Sequence, residues 1–260
     1  MPSIQIVVVS LKSAQERRDR LERHMGDSPF PWRFFDASDG GSPTALPYRP
    51  DVAVRLNGRQ LKRSEIGCFD SHYRVIAEFV EDPRTDYLMV CEDDLWMDFG
   101  FPFEAVARAM RKAGVGYFRF YARRAPGARH IAYWCDRWLV RYLWEPFGAQ
   151  CYLVSAEGAR RLLAPLTCIA RPIDDEFDRF WENGLPPYSF VPAPVLELSS
   201  PSSIVRSPDE SRTTLSHLAY RGRRLVDRLV SVSSGIRTTP LDRRFAAALA
   251  TVATASTKAP

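Results

Sequence analysis

Residues 4–9 do not alternate. Ile4, Ile6, Val7, Val8 and Val9 form a β-branched run, too continuous for a half-exposed strand and typical of one buried on both faces of a parallel sheet. Ser13 then opens a charged stretch over 14–25 with apolar or long side chains at helical spacing, so a strand-to-helix unit is expected first. Residues 32–35 predict a second strand, ended by the turn formers Asp39, Gly40 and Gly41. From 42 to 58, Pro43, Pro47 and Pro50 break every period and predict a loop. Ser64 followed by Ile66, Phe69, Tyr73, Ile76, Ala77 and Val80 predicts an amphipathic helix stopped near Pro83. Residues 87–91 read as another buried strand, which runs straight into Glu92-Asp93-Asp94. Beyond it the pattern predicts a helix over 103–113, a strand near 116–121, aromatic-rich strands around 131–134 and 138–143, and a helix from 155 to 163. This alternation implies an open α/β sheet. No internal repeat is visible.

Six prolines between Pro186 and Pro208 mark the edge of the compact part, and the chain divides into a main domain over 1–205 and an extension over 206–260. In the extension Leu215, Leu218, Leu225, Val226, Leu229 and Val230 line one side of an expected helix whose other side carries Arg221, Arg223, Arg224 and Arg228. Such a segment is basic and amphipathic. A helix docked on the domain is the plainer alternative.

Composition narrows this picture. With 260 residues, 45% of them hydrophobic and 26% charged, the chain can build a core and is not disordered throughout. The net charge of +5 is uneven: residues 1–200 hold 26 Lys and Arg against 27 Asp and Glu, and residues 201–260 hold 10 against 4. A charge-balanced body without a recognisable module argues against nucleic-acid binding. Five widely spaced cysteines, none in a CxxC pattern, make a disulfide framework or a cysteine zinc site improbable. The apolar stretch at 6–9 is too short for a secretory signal and no window would span a bilayer, so a cytosolic protein is expected, one that meets a membrane only from the side.

Two acidic groups can do chemistry. Glu92, Asp93 and Asp94 repel one another and resist burial, so their place at the end of an apolar strand needs a cation or full solvation. Ligands of open α/β sheets bind outside the carboxyl ends of strands, and Mg²⁺ or Mn²⁺ there could hold a diphosphate. A solvated acidic turn is the alternative. Asp174-Asp175-Glu176 starts a second helix; acids suit its first turn through the helix dipole, or one of them could take a proton from an acceptor hydroxyl. His72 stands alone one turn into its helix, and Arg17 is one of several arginines on the first.

In order along the chain, Val9-Ser10-Leu11 with Arg17, Ala37-Ser38-Asp39-Gly40, the block from Ser64-Glu65-Ile66-Gly67-Cys68 to Ser71-His72, Glu92-Asp93-Asp94, the block from Gly148 to Ser155 with Gly158-Ala159 and Leu162-Leu163, and Pro172-Ile173-Asp174 resemble the motifs of glycosyltransferase family 25. That group contains bacterial lipooligosaccharide galactosyltransferases and collagen-modifying enzymes. Ser10 and Ser64 replace the family's Asn and Gly, and Asp70 stands where an apolar residue is usual.

The resemblance covers roughly residues 4–200. It implies a GT-A-like, Rossmann-type nucleotide-sugar domain and an inverting transfer, commonly of galactose from UDP-galactose, in lipopolysaccharide or capsule synthesis. By that analogy Asp94 would ligate Mn²⁺ (or Mg²⁺), and Glu92 would contact the ribose or the metal shell beside Asp93. Arg17 and Asp39 would lie near the nucleotide, Glu65 and His72 would line the donor side, and Asp174 would be the catalytic base. The implied partners are a UDP-sugar, a glycan or lipid-linked acceptor and, through the extension, an anionic membrane. A different UDP-sugar donor, or a catalytically silent scaffold of glycan assembly, are the competing readings.

Overall fold

A computed structural model describes residues 2–124, 127–198 and 214–256, with only the backbone described at 214–219 and 253–256. The elements run β1 Ile4–Ser10, α1 Gln15–Met25, β2 Trp32–Asp36, α2 Pro50–Asn57, α3 Arg63–Glu81, β3 Tyr87–Glu92, β4 Leu95–Met97, α4 Phe103–Ala113, β5 Tyr117–Arg119, β6 Ala128–Trp134, β7 Arg137–Tyr142, β8 Cys151–Ser155, α5 Ala156–Leu163, α6 Ile173–Phe177, α7 Phe180–Asn183, β9 Tyr188–Val191, β10 Val195–Glu197, α8 Thr214–Arg237 and α9 Thr239–Ser256.

The central sheet has the order β2-β1-β3-β8-β5. Strands β1, β2 and β3 pair in parallel, and β8 is inserted antiparallel between β3 and β5, so four of the five strands point one way. The period of two sorts each strand between two cores. Ile4, Ile6 and Val8 face one layer with Met89, Leu153, α1 and α4. Val7 and Val9 face the other with Leu88, Val90, Val154, α3 and α5. This is why the run at 4–9 had to be continuous. Two smaller antiparallel sheets, β10-β4 and β6-β7-β9, complete the described part.

One expectation fails outright at 42–58, where α2 forms within the expected loop. Pro50 does not break it but begins it, at the first helical position, where the missing N–H would be unpaired anyway and φ is already helical. The acidic helix at 174 also stops early, as α6 and then a separate α7.

The boundary expected at 205/206 lies outside the described residues. The two C-terminal helices are docked on the rest of the fold. On α9, Phe245, Ala248, Leu249 and Val252 form one stripe in the first core beside α4. Asp242 receives hydrogen bonds from Arg141 at 2.9 Å and from the Tyr188 hydroxyl at 2.8 Å, so its buried charge is matched. Helix α8 is held by polar groups instead: Arg224 to Asp175 at 2.6 Å, Asp227 to Arg179 at 3.1 Å, and the Ser231 hydroxyl to the Leu143 carbonyl at 2.5 Å. Its outward side carries Leu225, Val226, Leu229, Val232 and Ile236, the last 72% exposed. No helix among the described residues is long and apolar enough to cross a membrane.

Candidate active site

Strand β3 ends at Glu92, and the three carboxylates that close its apolar run part company. Asp93 turns inward: Ser10 donates its hydroxyl to it at 2.5 Å and Arg17 pairs with it at 3.1 Å. Burial pushes its carboxyl up, against the pull of Ser10 and Arg17. Arg18 donates to the Ser10 hydroxyl at 3.2 Å and to its carbonyl at 2.7 Å, and ties the β1 end to Asp36.

Asp94 has no such support. Its Oδ1 is buried without a hydrogen-bond partner. Burial first, then the charges of Glu92, Asp93 and Glu197, raise its carboxyl to about 7. Glu197 reaches the site from β10, whose neighbour Leu198 donates its N–H to the Asp94 carbonyl at 2.7 Å. An orphaned carboxylate oxygen in the field of three further acids, with Arg17 as an opposing charge, is a place where a hard divalent cation would relieve the repulsion.

Glu92 points elsewhere. Its Oε1 lies 3.7 Å from His72 Nε2, and these two atoms converge with the Cys68 sulfur within 4.8 Å, the one such cluster of possible metal ligands among the described residues. His72 is fully buried on α3, its Nδ1 3.0 Å from the Tyr152 hydroxyl on β8. Burial, then the charges of Glu92 and Asp174, push the Cys68 thiol up.

Asp174 lies near this cluster, since Cys68 and Arg123 both feel its charge together with that of Glu92. It is held by backbone donors: Gly148 N–H at 2.8 Å to one oxygen and Asp175 N–H at 3.0 Å to the other. The turn that supplies Gly148 is itself clamped from below. Buried Arg119 pairs with Asp178 and donates to the Gly148 carbonyl, while Asp178 accepts the Phe147 N–H at 2.9 Å. Gly148 sits at φ +87°, where a Cβ would collide with the Gln150 side-chain oxygen, so only glycine serves there. That Gln150 oxygen is also buried without a partner.

The remaining expected residues hold structure around the site. Glu65 closes the start of α3 by accepting the Lys62 N–H at 2.8 Å and pairing with Arg59 at 2.6 Å. Despite burial, which works the other way, these bonds keep its carboxyl low. Asp39 accepts the Gly41 N–H at 2.8 Å and pairs with Arg63, which together lower its carboxyl. Gly67 lets α3 lie on that turn, for a Cβ there would collide with the Ser38 carbonyl. The unusual Asp70 accepts the Ala45 N–H at 2.6 Å and pairs with Arg74, anchoring the 42–48 segment. Sequence reasoning gave no role to Arg123, Gln150, Glu197 or Cys68. Gln150 and Cys68 lie inside family motifs, whereas Arg123 and Glu197 carry no signal of their own.

Residues 3–113 match the sequence profile described as "Glycosyltransferase family 25 (LPS biosynthesis protein)". That match takes in the N-terminal part of the chain, and curated proteins of the same family align beyond it. Among curated family relatives, procollagen galactosyltransferase 1-A of Xenopus laevis is 25% identical over 66% of this chain and 30% of its own length. A probable inactive glycosyltransferase 25 family member 3 of Bos taurus is 24% identical over 72% of this chain and 36% of its own. The chain therefore spans about a third of the length of these relatives. Among solved structures, a glycosyltransferase involved in glycosylation of the major capsid of PBCV-1 is similar at TM-score 0.34 and 10% identity, over 63% of this chain and 66% of that one.

Proposed function

We propose that this chain is an inverting, metal-dependent glycosyltransferase of family 25 and of GT-A-like architecture. It would move a hexose, galactose before other sugars, from a UDP-sugar to a hydroxyl of a surface glycan or lipid-linked acceptor of the cell envelope. The observation that carries this is Asp94: a buried, unpartnered carboxylate oxygen beside three other acids at the end of a core strand. The galactosyltransferase named among its relatives supports the choice of sugar.

Asp94, joined by Glu92 once that side chain swings away from His72, would hold Mn²⁺ (or Mg²⁺), which would supply neutralising charge for a departing diphosphate. The other steps belong to the chain. Arg17, with Ser10, holds the Asp93 carboxylate turned away from Asp94. Asp174 accepts the proton of the attacking hydroxyl; its two backbone donors fix the carboxylate while leaving lone pairs free for that proton. Separate acids for leaving group and acceptor are what inversion by direct displacement requires.

A screen of UDP-sugars for hydrolysis and transfer, with and without Mn²⁺, tests the reading. Metal-stimulated release of UDP from one donor is expected. Equal, background release from all donors would leave a silent family member, as the name of the Bos taurus relative suggests for that protein.

The same reading gives α8 a role. Its outward apolar residues are bordered by exposed Arg221, Arg228 and Arg237, and its one acid, Asp227, is turned to Arg179. A face of this kind suits the anionic cytoplasmic surface of a membrane carrying the acceptor, each arginine contributing on the order of 1 kcal/mol. Arg224, by contrast, is used on the protein side. Sedimentation with phosphatidylglycerol vesicles should retain the protein at low salt, and Leu229→Glu with Ile236→Glu should lower binding at least tenfold. Equal binding by the double variant would remove α8 from this role.

A further inference from the structure

We propose that Cys68, His72 and Glu92 form a binding site for a zinc-class divalent ion, a softer centre than the all-oxygen one at Asp94. The three residues come from rigid elements. Cys68 and His72 are one turn apart on α3 and so share a face, and Glu92 closes β3, which is flanked by β1 and β8.

The decisive atom is His72 Nε2. It belongs to a fully buried side chain and has no hydrogen-bond partner. The ring's other nitrogen is fixed by the Tyr152 hydroxyl at 3.0 Å, the outer contact that orients a ligating imidazole. Two tautomers are possible, and neither gives Nε2 a strong partner. With the proton on Nδ1, Nε2 presents a bare lone pair to a carboxylate and to the Cys68 thiol, whose S–H is only a weak donor. With the proton on Nε2, a hydrogen bond to Glu92 should close to about 2.9 Å, yet the separation is 3.7 Å.

A cation between the groups resolves the conflict. Nitrogen and oxygen ligands each about 2.0 Å from one tetrahedral ion stand roughly 3.3 Å apart, within a small side-chain adjustment of the 3.7 Å seen. The thiol lies in the same cluster, all ligand atoms being within 4.8 Å of one another. Sulfur, imidazole and carboxylate together select zinc or cobalt over manganese, magnesium or calcium. Three protein ligands leave a fourth position to water or to another ligand. The cysteine spacing could not disclose such a site, because it takes one cysteine, from a helix, and a carboxylate from a strand.

Glu92 is shared with the acidic triplet. If the transferase reading holds, zinc at Cys68 withdraws Glu92 from the donor side and inhibits transfer; the site itself does not depend on that reading.

The test uses the full chain, stripped of metal and kept reduced with a phosphine, and cobalt(II) alone as probe. One equivalent should bind with thiolate-to-cobalt charge-transfer absorption. Cys68→Ser should abolish that absorption, and His72→Gln and Glu92→Gln should each weaken cobalt binding at least tenfold. A second measurement needs no variant: zinc should slow alkylation of Cys68 at least tenfold, read by peptide mass, while exposed Cys135 reacts unchanged. Lack of the absorption in the wild-type chain, its persistence in Cys68→Ser, or alkylation of Cys68 indifferent to zinc would overturn the proposal. No nucleotide or sugar enters the titration, so failure here leaves the transferase reading standing, and a cobalt-binding chain without transferase activity would refute that reading alone.

Discussion

The two acidic clusters look alike in sequence and are opposites in the fold. At 174–176 every carboxylate is answered: Asp174 by the N–H groups of Gly148 and Asp175, Asp175 by Arg224, Glu176 by Arg171 at 3.3 Å. At 92–94 Asp93 is answered by Arg17 and Ser10, Glu92 has only His72 at 3.7 Å, and Asp94 is buried with an oxygen unpaired. Adjacency of acids therefore says little; what separates the clusters is whether the surrounding chain brings compensating charge. A cluster left in deficit is prepared for a ligand, and a compensated one is fixed in place.

The largest effects should come from removing one acid from each cluster. Asp94→Asn should lose metal-dependent transfer by about a thousandfold, the scale of a major electrostatic contribution to a transition state. Asp174→Asn should lose about 10²–10⁴-fold in turnover while still binding donor. Donor affinity by calorimetry, set beside turnover, checks both; unimpaired turnover in Asp174→Asn would remove it as the base.

Next in size is the compensation itself. Arg224→Ala leaves Asp175 buried and unpaired, which should cost about 3 kcal/mol in a denaturant titration. Asp94→Asn should instead leave stability equal or higher, because it relieves repulsion. Loss of stability in both variants would erase the contrast between the clusters.

A smaller and finer test is pH. The Asp94 carboxyl titrates near 7 in the fold, against an ordinary 3.8, so between these values the folded chain holds a proton that the unfolded chain has released. Stability must then fall as pH rises from about 4 to about 7 in metal-free protein. Raised carboxyls at Asp93, Asp175 and Glu176 act in the same direction. Asp94→Asn should flatten part of that slope, as read from melting temperature against pH. Smallest of all, Gly148→Ala should cost about 1–3 kcal/mol through its left-handed backbone and loosen the hold on Asp174, which would show as reduced turnover at unchanged donor affinity.

Much of the frame was legible because it rests on local pattern. The β-branched run at 4–9, the buried strand before Glu92 and the stripe of α4 carry their environment in their own residues. Helix α2 was hidden because proline has opposite meanings at the start and in the middle of a helix. In the site, Asp94 and Asp174 could be picked out as acids at element ends. What could not be read was occupancy: that Lys62 and Arg59 already use Glu65, that Arg63 uses Asp39, and that Glu197 arrives from a strand about a hundred residues later. The first is a local capping contact whose pattern does not tell a structural acid from a catalytic one; the others depend on long-range pairing, which spacing along the chain does not encode.

The placement of α9 bears on how the protein is made. Helix α4 keeps its apolar side against Phe245, Ala248 and Leu249, and Lys112 reaches Thr251 at 3.1 Å across 139 positions of chain. During synthesis, then, the sheet and its first helices emerge with one greasy flank still wet, and they stay so until α9 leaves the ribosome. Throughout that interval the nascent chain depends on chaperones or on speed to avoid sticking to its neighbours.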